Sequence, residues 1–326
     1  TLGALVVRFT NASKQPQACG RPSFDSDWVV AYTSGMSVPT SNRLTHTAMR
    51  RLATAALLVA LLAAVGLRPA HAQIIYVDKD ASGNNDGTSW TDAFTDLQDA
   101  INDATASDEI WIAQGTYNPD SEGDSFKITG GIDGVKVYGG FESGDAFGDR
   151  DPTANKTILS GDLSGDDTDP DNDGIVEDAD PDDDGTAANL SGTNAEHVLI
   201  LDGGNGIDTD EPGITAATRV EGIYVTAGQA DGSSPDGGGL YCDGQGSGNR
   251  CNPTLENVVF SGNAAGFGGA LYNEGDNGTS SPTIEGSTFQ GNVATSDGGA
   301  VFNDGGGTSS PDITSSTTFV DNSAGN

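Results

Sequence analysis

The densest run of metal-ligating side chains in this 326-residue chain is Asp169-Pro170-Asp171-Asn172-Asp173-Gly174-Ile175-Val176-Glu177-Asp178-Ala179-Asp180. Calcium is a hard cation that takes oxygen ligands, and a loop of about twelve residues supplies them from alternating positions around a glycine turn. Asp169, Asp171, Asp173, the Ile175 carbonyl, Glu177 and Asp180 fall on those positions, and Gly174 falls on the turn. The run is therefore a candidate Ca²⁺ loop. It departs from the pattern in closing on Asp rather than Glu and in having no helical periodicity on either side. The competing reading is a solvated acidic insertion whose carboxylates repel one another and which needs Ca²⁺ or high salt to order.

Other candidate chemistry is sparser. A shorter acidic echo follows at Asp180, Asp182, Asp184 and Gly185. Gly203-Gly204-Asn205-Gly206-Ile207-Asp208 matches the start of a calcium-binding nonapeptide, but one copy cannot stack and reads as a turn. Cys242 and Cys251 flank the glycine-rich stretch 243–250 and predict one disulfide closing a surface loop. A zinc site would want more Cys or His than this region holds. Lyase chemistry needs a base beside an acidic groove. After Lys156 the only basic side chains are Arg219 and Arg250, and the one histidine beyond residue 72, His197, opens an apolar strand-like run. No catalytic residue and no organic cofactor site is assigned. Two carboxylates could serve a glycosidase, but no spacing selects a pair.

These residues sit in an exported, acidic chain. Met49-Arg50-Arg51, the apolar run 52–67 and Ala70-His71-Ala72 form a signal peptide over 49–72, with cleavage before Gln73. Residues 1–48 read as a non-native or mis-called upstream segment. Residues 1–72 hold 7 basic and 2 acidic side chains, which leaves 7 basic and 46 acidic in 73–326, a charge of −39. That surface repels nucleic acid and anionic lipid, so neither is expected as a partner. Hydrophobic content of 35% with 47 glycines is thin for a large compact enzyme and suits a repetitive β architecture.

The repeats specify that architecture. Pro253, Pro282 and Pro311 are 29 apart, and Phe260, Phe289 and Phe319 are 29 and 30 apart. Each Phe opens a Phe-x-x-Asn unit ending at Asn263, Asn292 or Asn322. Between them lie Gly268-Gly269-Ala270-Leu271 and Gly298-Gly299-Ala300-Val301, with a looser copy at Gly237–Cys242. A period near 30 is one winding of a coil carrying several short strands. Stacked windings predict inward ladders of Leu255, Ile284 and Ile313, of Phe260, Phe289 and Phe319, and of Leu240, Leu271 and Val301. The Asn row is expected to stack its amides along the axis. At the front, Ile74–Val77 predicts a strand, and the capping pattern Ser89-Trp90-Thr91-Asp92 with the apolar spacing behind it predicts a helix over 91–105. The expected fold is all-β: a right-handed parallel β-helix over 109–326, interrupted by the acidic insertion 161–193, behind an N-terminal cap at 73–108.

Phe-x-x-Asn followed by Gly-Gly-Ala-(Leu/Val) resembles the repeats of polymorphic outer-membrane proteins, and more broadly exported parallel β-helix proteins of the pectin-lyase-like superfamily. The acidic run resembles thrombospondin type-3 or dockerin-like calcium loops. The first resemblance implies a secreted or cell-surface, outer-membrane-associated adhesin or structural module that binds an extracellular glycan or surface protein and does not itself span the membrane. A polyuronate lyase or glycoside hydrolase of the same fold is the alternative. The Gly-Gly-Ala half of the last repeat is missing at Asn326, so a fragment lacking C-terminal coils is expected.

Overall fold

The computed structural model describes residues 72–179, 189–204, 213–232, 235–314 and 316–325. The upstream segment and the apolar run of the signal peptide lie outside these. Among the described residues, 25 short strands and a single α-helix are present. Among the described residues no helix is long and apolar enough to cross a membrane.

The strands stack into parallel sheets running along a solenoid of about seven turns. The longest sheet is the clearest record of the windings. Its order is Ile74–Val77, Glu109–Ala113, Lys136–Phe141, Arg219–Glu221, Thr254–Glu256, Thr283–Glu285 and Asp312–Ile313. Each strand pairs in parallel with the next, so the N–H and C=O groups of one winding are satisfied by its neighbours. A six-stranded sheet, a five-stranded sheet and two shorter ones complete the walls.

The predicted ladders are in register. Leu255 pairs with Ile284 and Ile284 with Ile313. Phe260 pairs with Phe289 and Phe289 with Phe319, with ring centroids 4.9 Å apart at both steps. Leu240, Leu271 and Val301 form the third row. These side chains build one continuous core with the front of the molecule. At the last winding the same rows reach solvent, and Phe319 is 48% exposed.

The buried Asn row is structural. Asn263 Nδ2 donates to Asn292 Oδ1 at 2.9 Å, and Asn292 Nδ2 donates to Asn322 Oδ1 at 2.7 Å. The same amides hold main chain: Asn292 Nδ2 also donates to the Phe260 carbonyl, and its Oδ1 accepts the Asn263 N–H. Each Asn thus satisfies backbone groups at a corner that the strand ladders leave unpaired.

The front departs from expectation in two respects. Ile74–Val77 pairs with Glu109–Ala113, so the strand assigned to a cap is the first rung of the longest sheet. The helix spans only Leu97–Asp103, with Asp96 as its N-cap. The Ser89–Asp92 pattern forms one half of a capping box, with Asp92 N donating to Ser89 Oγ at 3.1 Å, while the Ser89 hydroxyl donates to Asp92 Oδ2 at 3.2 Å. They close a loop instead, because Phe94 is drawn into an extended bridge with Val77. Leu97, Ala100 and Ile101 pack into the solenoid core and cover its front.

Candidate functional site

The acidic insertion is not simply solvated. Ile175, Val176 and Ala179 are buried, and Val176 and Ala179 cluster with Leu190, Ala227, Ala264 and Val293. Val176 N donates to Thr226 Oγ1 at 3.0 Å, Ser261 Oγ donates to the Val176 carbonyl at 2.7 Å, and Ala179 N donates to the Gly291 carbonyl at 2.8 Å. Thr226, Ser261 and Gly291 belong to three successive windings, so this segment is a strap along one edge of the solenoid. Its apolar residues are its attachment points.

The strap carries the candidate calcium loop. Carboxylate oxygens of Asp169, Asp171, Asp173 and Glu177 all lie within 4.8 Å of one another. Gly174 adopts φ +87°, and its N–H donates to Asp169 Oδ2 at 2.8 Å, while Asn172 N donates to Asp169 Oδ1 at 2.9 Å. The Ile175 N–H donates to Asp173 Oδ1, and its side chain is buried. Asp180, the expected closing ligand, lies outside the described residues, as do Asp182, Asp184 and Gly185. Lys156 Nζ is bonded to Asp173 and lies 5.5 Å from the Tyr224 ring centroid. Its pKa is raised, first by the hydrogen bond to Asp173. Burial raises the Glu177 pKa, and the charges of Asp171, Asp173 and Asp169 add to the shift. The donor set is all oxygen, as calcium requires, and one lysine partly offsets its charge.

A second feature was not anticipated. A groove of about 400 Å³ on the outer surface is lined by Arg150, Pro152, Glu221, Tyr224, Asn257 and Gly286, among others. The Arg150 guanidinium is held on two of its three nitrogens: Nη1 meets Glu221 at 2.6 Å and Nε donates to the Gly139 carbonyl, while Nη2 is buried without a hydrogen-bond partner among the described residues, and the Tyr138, Phe147 and Phe141 rings lie 5.2 to 5.7 Å away. Gly222 makes this possible, since a Cβ there would meet Arg150 Nη2 at 2.5 Å. The aromatic wall continues through Trp111 and Phe141, whose rings stack at 4.9 Å. The signal was present in the alignment of Glu109-Ile110-Trp111 over Lys136-Val137-Tyr138, which places Trp111 beside Tyr138 on the outer face.

Arg219 and His197 are engaged by neighbouring groups, and Arg250 is exposed. Arg219 Nη1 is bonded to Glu256 and lies 3.6 Å from Glu221. Arg250 is exposed on a two-residue strand. His197 Nδ1 lies 3.0 Å from the Gly237 carbonyl, with its ring 5.4 Å from that of Tyr241. Gly203 and Gly204 are described, but residues 205–212 are not, so the nonapeptide lies mostly outside the described residues.

Cys242 and Cys251 are joined by a disulfide with a Cα–Cα distance of 5.7 Å. The bond closes the expected surface loop over 243–250, and both cysteines are themselves fully buried, so the clasp is set into the core. Register explains its place. Cys242 pairs with Asn273 and Cys251 with Ser280, and in that next winding Ser280 Oγ donates to Asn273 Oδ1 at 3.4 Å. The disulfide is a covalent version of a rung that its neighbour makes with a hydrogen bond.

Residues 257–274 and 286–309 match the Chlamydia polymorphic membrane protein repeat. Both matched stretches lie on stacked windings, from the Phe rung through the Gly-Gly corner to the following strand. No curated protein and no solved structure matches the chain.

Proposed function

We propose that this chain is a surface-displayed β-helix module that binds extracellular glycans along its lateral face, with no chemical step. The observation that carries the reading is the polymorphic membrane protein repeat on windings beside an outward groove that joins a fixed guanidinium to Tyr224, Pro152 and Asn257. Sugars are recognised by apolar stacking surfaces with a few oriented polar groups, and this groove offers both. Such sites are weak singly, and a long solenoid presented in many copies gains avidity. The loop Asp169, Asp171, Asp173, Ile175, Glu177 and Asp180 takes Ca²⁺ in this account and fastens the strap that borders the same windings. The acidic surface suits an exterior where salt and divalent cations screen it.

The test is a glycan array probed with the full chain, followed by titration of the best binder. Tyr224→Ala and Asn257→Ala are expected to weaken binding several-fold while leaving circular dichroism unchanged. Binding that ignores both substitutions removes the groove from the account. Incubation with pectin or alginate and Ca²⁺ addresses the alternative: unsaturated products absorbing in the ultraviolet would make the chain a lyase.

A further inference from the structure

An aromatic cluster lies on the outer face of the longest sheet, apart from the interior core. Trp111, Tyr138 and Phe141 are its buried part, and Ile74, Tyr76 and Trp90 pack against them. Register places Tyr76, Trp111 and Tyr138 in one row across successive strands, while their neighbours Ile75, Ile110 and Val137 point into the core. Phe147 packs against this row and is 42% exposed. Its ring is 5.0 Å from that of Tyr138, edge-on at 82°, and 5.4 Å from that of Trp111. The other large apolar side chains exposed among the described residues, Ile313, Phe319 and Val320, belong to the last winding.

A lone exposed ring needs no explanation, but this one is held in place and continuous with the groove. The Arg150 guanidinium lies 5.3 Å from its centroid, and Arg150 is also a wall of the groove that passes Tyr224 to reach Asn257 and Gly286. Gly144 and Gly148 stand on either side of Phe147 in its turn, and a Cβ on either would meet nothing within 4 Å, so open space flanks the ring. Tyr138, Glu221, Glu256 and Glu285 occupy one register row. Three strand spacings of about 4.8 Å therefore separate the support of Phe147 from the Gly286 corner, a run of about 14 Å along the axis. The charges narrow the choice of ligand. The turn carrying Phe147 holds Glu142, Asp145 and Asp149. Both neighbouring arginines are already matched, Arg150 by Glu221 at 2.6 Å and Arg219 by Glu256. A carboxylate or sulfate on a ligand would meet like charge here with no free cation among the described residues to offset it.

We infer that Phe147 extends the groove into a site several sugars long for an uncharged polysaccharide, with one sugar stacked on Phe147 and the following ones over Tyr224 and Asn257. The inference rests on the glycan reading of the groove and adds to it a stacking position, a direction along the axis and a charge class. A pyranose whose hydroxyls are all equatorial has an apolar C–H face, which packs on an exposed aromatic ring. A β-1,4-linked glucan repeats such faces along a flat ribbon. Tyr138, Trp111 and Arg150 fix the Phe147 ring in advance, so little side-chain freedom is lost when a sugar stacks on it. The same charges that admit a neutral chain disfavour a polyuronate.

The experiment is calorimetric titration of the full chain with cellohexaose, and with the same hexamer oxidised at C6 to glucuronate, for the wild type and for variants at Phe147 and Tyr224. The wild type is expected to bind cellohexaose about tenfold more tightly than the oxidised hexamer. Phe147→Ala is expected to weaken cellohexaose binding about tenfold, and Phe147→Tyr, which keeps the ring, to bind as the wild type does. If Tyr224→Ala weakens binding and Phe147→Ala does not, the inference is overturned while the groove keeps its glycan. If cellohexaose binds and neither substitution matters, the glycan reading of the groove falls with it. Equal or tighter binding of the oxidised hexamer overturns the inference, as does a wild type that binds neither hexamer. Should Phe147→Ala fail to fold, Phe147→Leu decides, since it keeps apolar bulk against Tyr138 without a flat ring: binding equal to the wild type overturns the inference.

Discussion

Asn292 is the residue through which the stacking of windings can be measured. Its side chain is fully buried and makes four hydrogen bonds, to Phe260 O, Asn322 Oδ1, Asn263 N and Asn263 Nδ2. Asn292→Ala strands the Phe260 carbonyl and the Asn263 N–H in the interior, where no water replaces the amide. Each stranded buried group costs about 1–3 kcal/mol, so the substitution is expected to cost about 4 kcal/mol. That is a large part of the roughly 5–15 kcal/mol that holds a domain folded. Asn322 makes the equivalent bonds in the last described winding, where it is only half-buried. Water can reach the groups that Asn322→Ala strands, and its cost is expected to be about 1 kcal/mol. Urea unfolding followed by far-UV circular dichroism reads both. The reasoning is refuted if Asn292→Ala unfolds within about 1 kcal/mol of the wild type, or if Asn322→Ala is the costlier of the two.

Three further outcomes are expected. Cys242→Ser/Cys251→Ser should lower stability by about 2.5 kcal/mol, from the chain entropy released on opening a loop of nine residues. Cys242→Asn/Cys251→Ser should recover part of this by restoring the rung of the next winding, read as the midpoint in urea without reductant. Burial holds Asp243 at about 6 when folded, above its ordinary 3.8, with the charges of Asp202 and Glu274 adding to the shift. Its contribution to stability is therefore full below about pH 4 and lost as the pH rises through 6, so Asp243→Asn should flatten the stability profile over that window and raise stability at pH 7. Gly291 has φ +55°, and a Cβ there would meet Asp178 Cα at 2.5 Å. Gly291→Ala should lift the strap and expose its peptide bonds to limited proteolysis near 176–179, while the windings keep their circular dichroism.

Legibility in the sequence followed periodicity. Rows that recur every winding, such as Phe260, Phe289 and Phe319, declare the stack because each must meet its own kind across one strand spacing. The helix boundary was misjudged because local capping chemistry at Ser89 and Asp92 is real but loses to a long-range bridge between Phe94 and Val77. The candidate calcium loop is legible as a spacing of carboxylates. The strap beneath it was not, since Val176 and Ala179 find their partners at Thr226 and Gly291, far along the chain. The groove depends on Arg150 reaching Glu221 across 71 residues, and no local pattern announces such a pair.

The most direct test of the stacked solenoid is a set of nuclear Overhauser contacts in a chain with labelled phenylalanine rings. Rings separated by 4.9 Å at each step predict strong cross-peaks from Phe289 to both Phe260 and Phe319, and none between Phe260 and Phe319. Cross-peaks missing at both steps, or a direct contact between the outer two rings, would contradict the parallel, in-register windings on which the whole account rests.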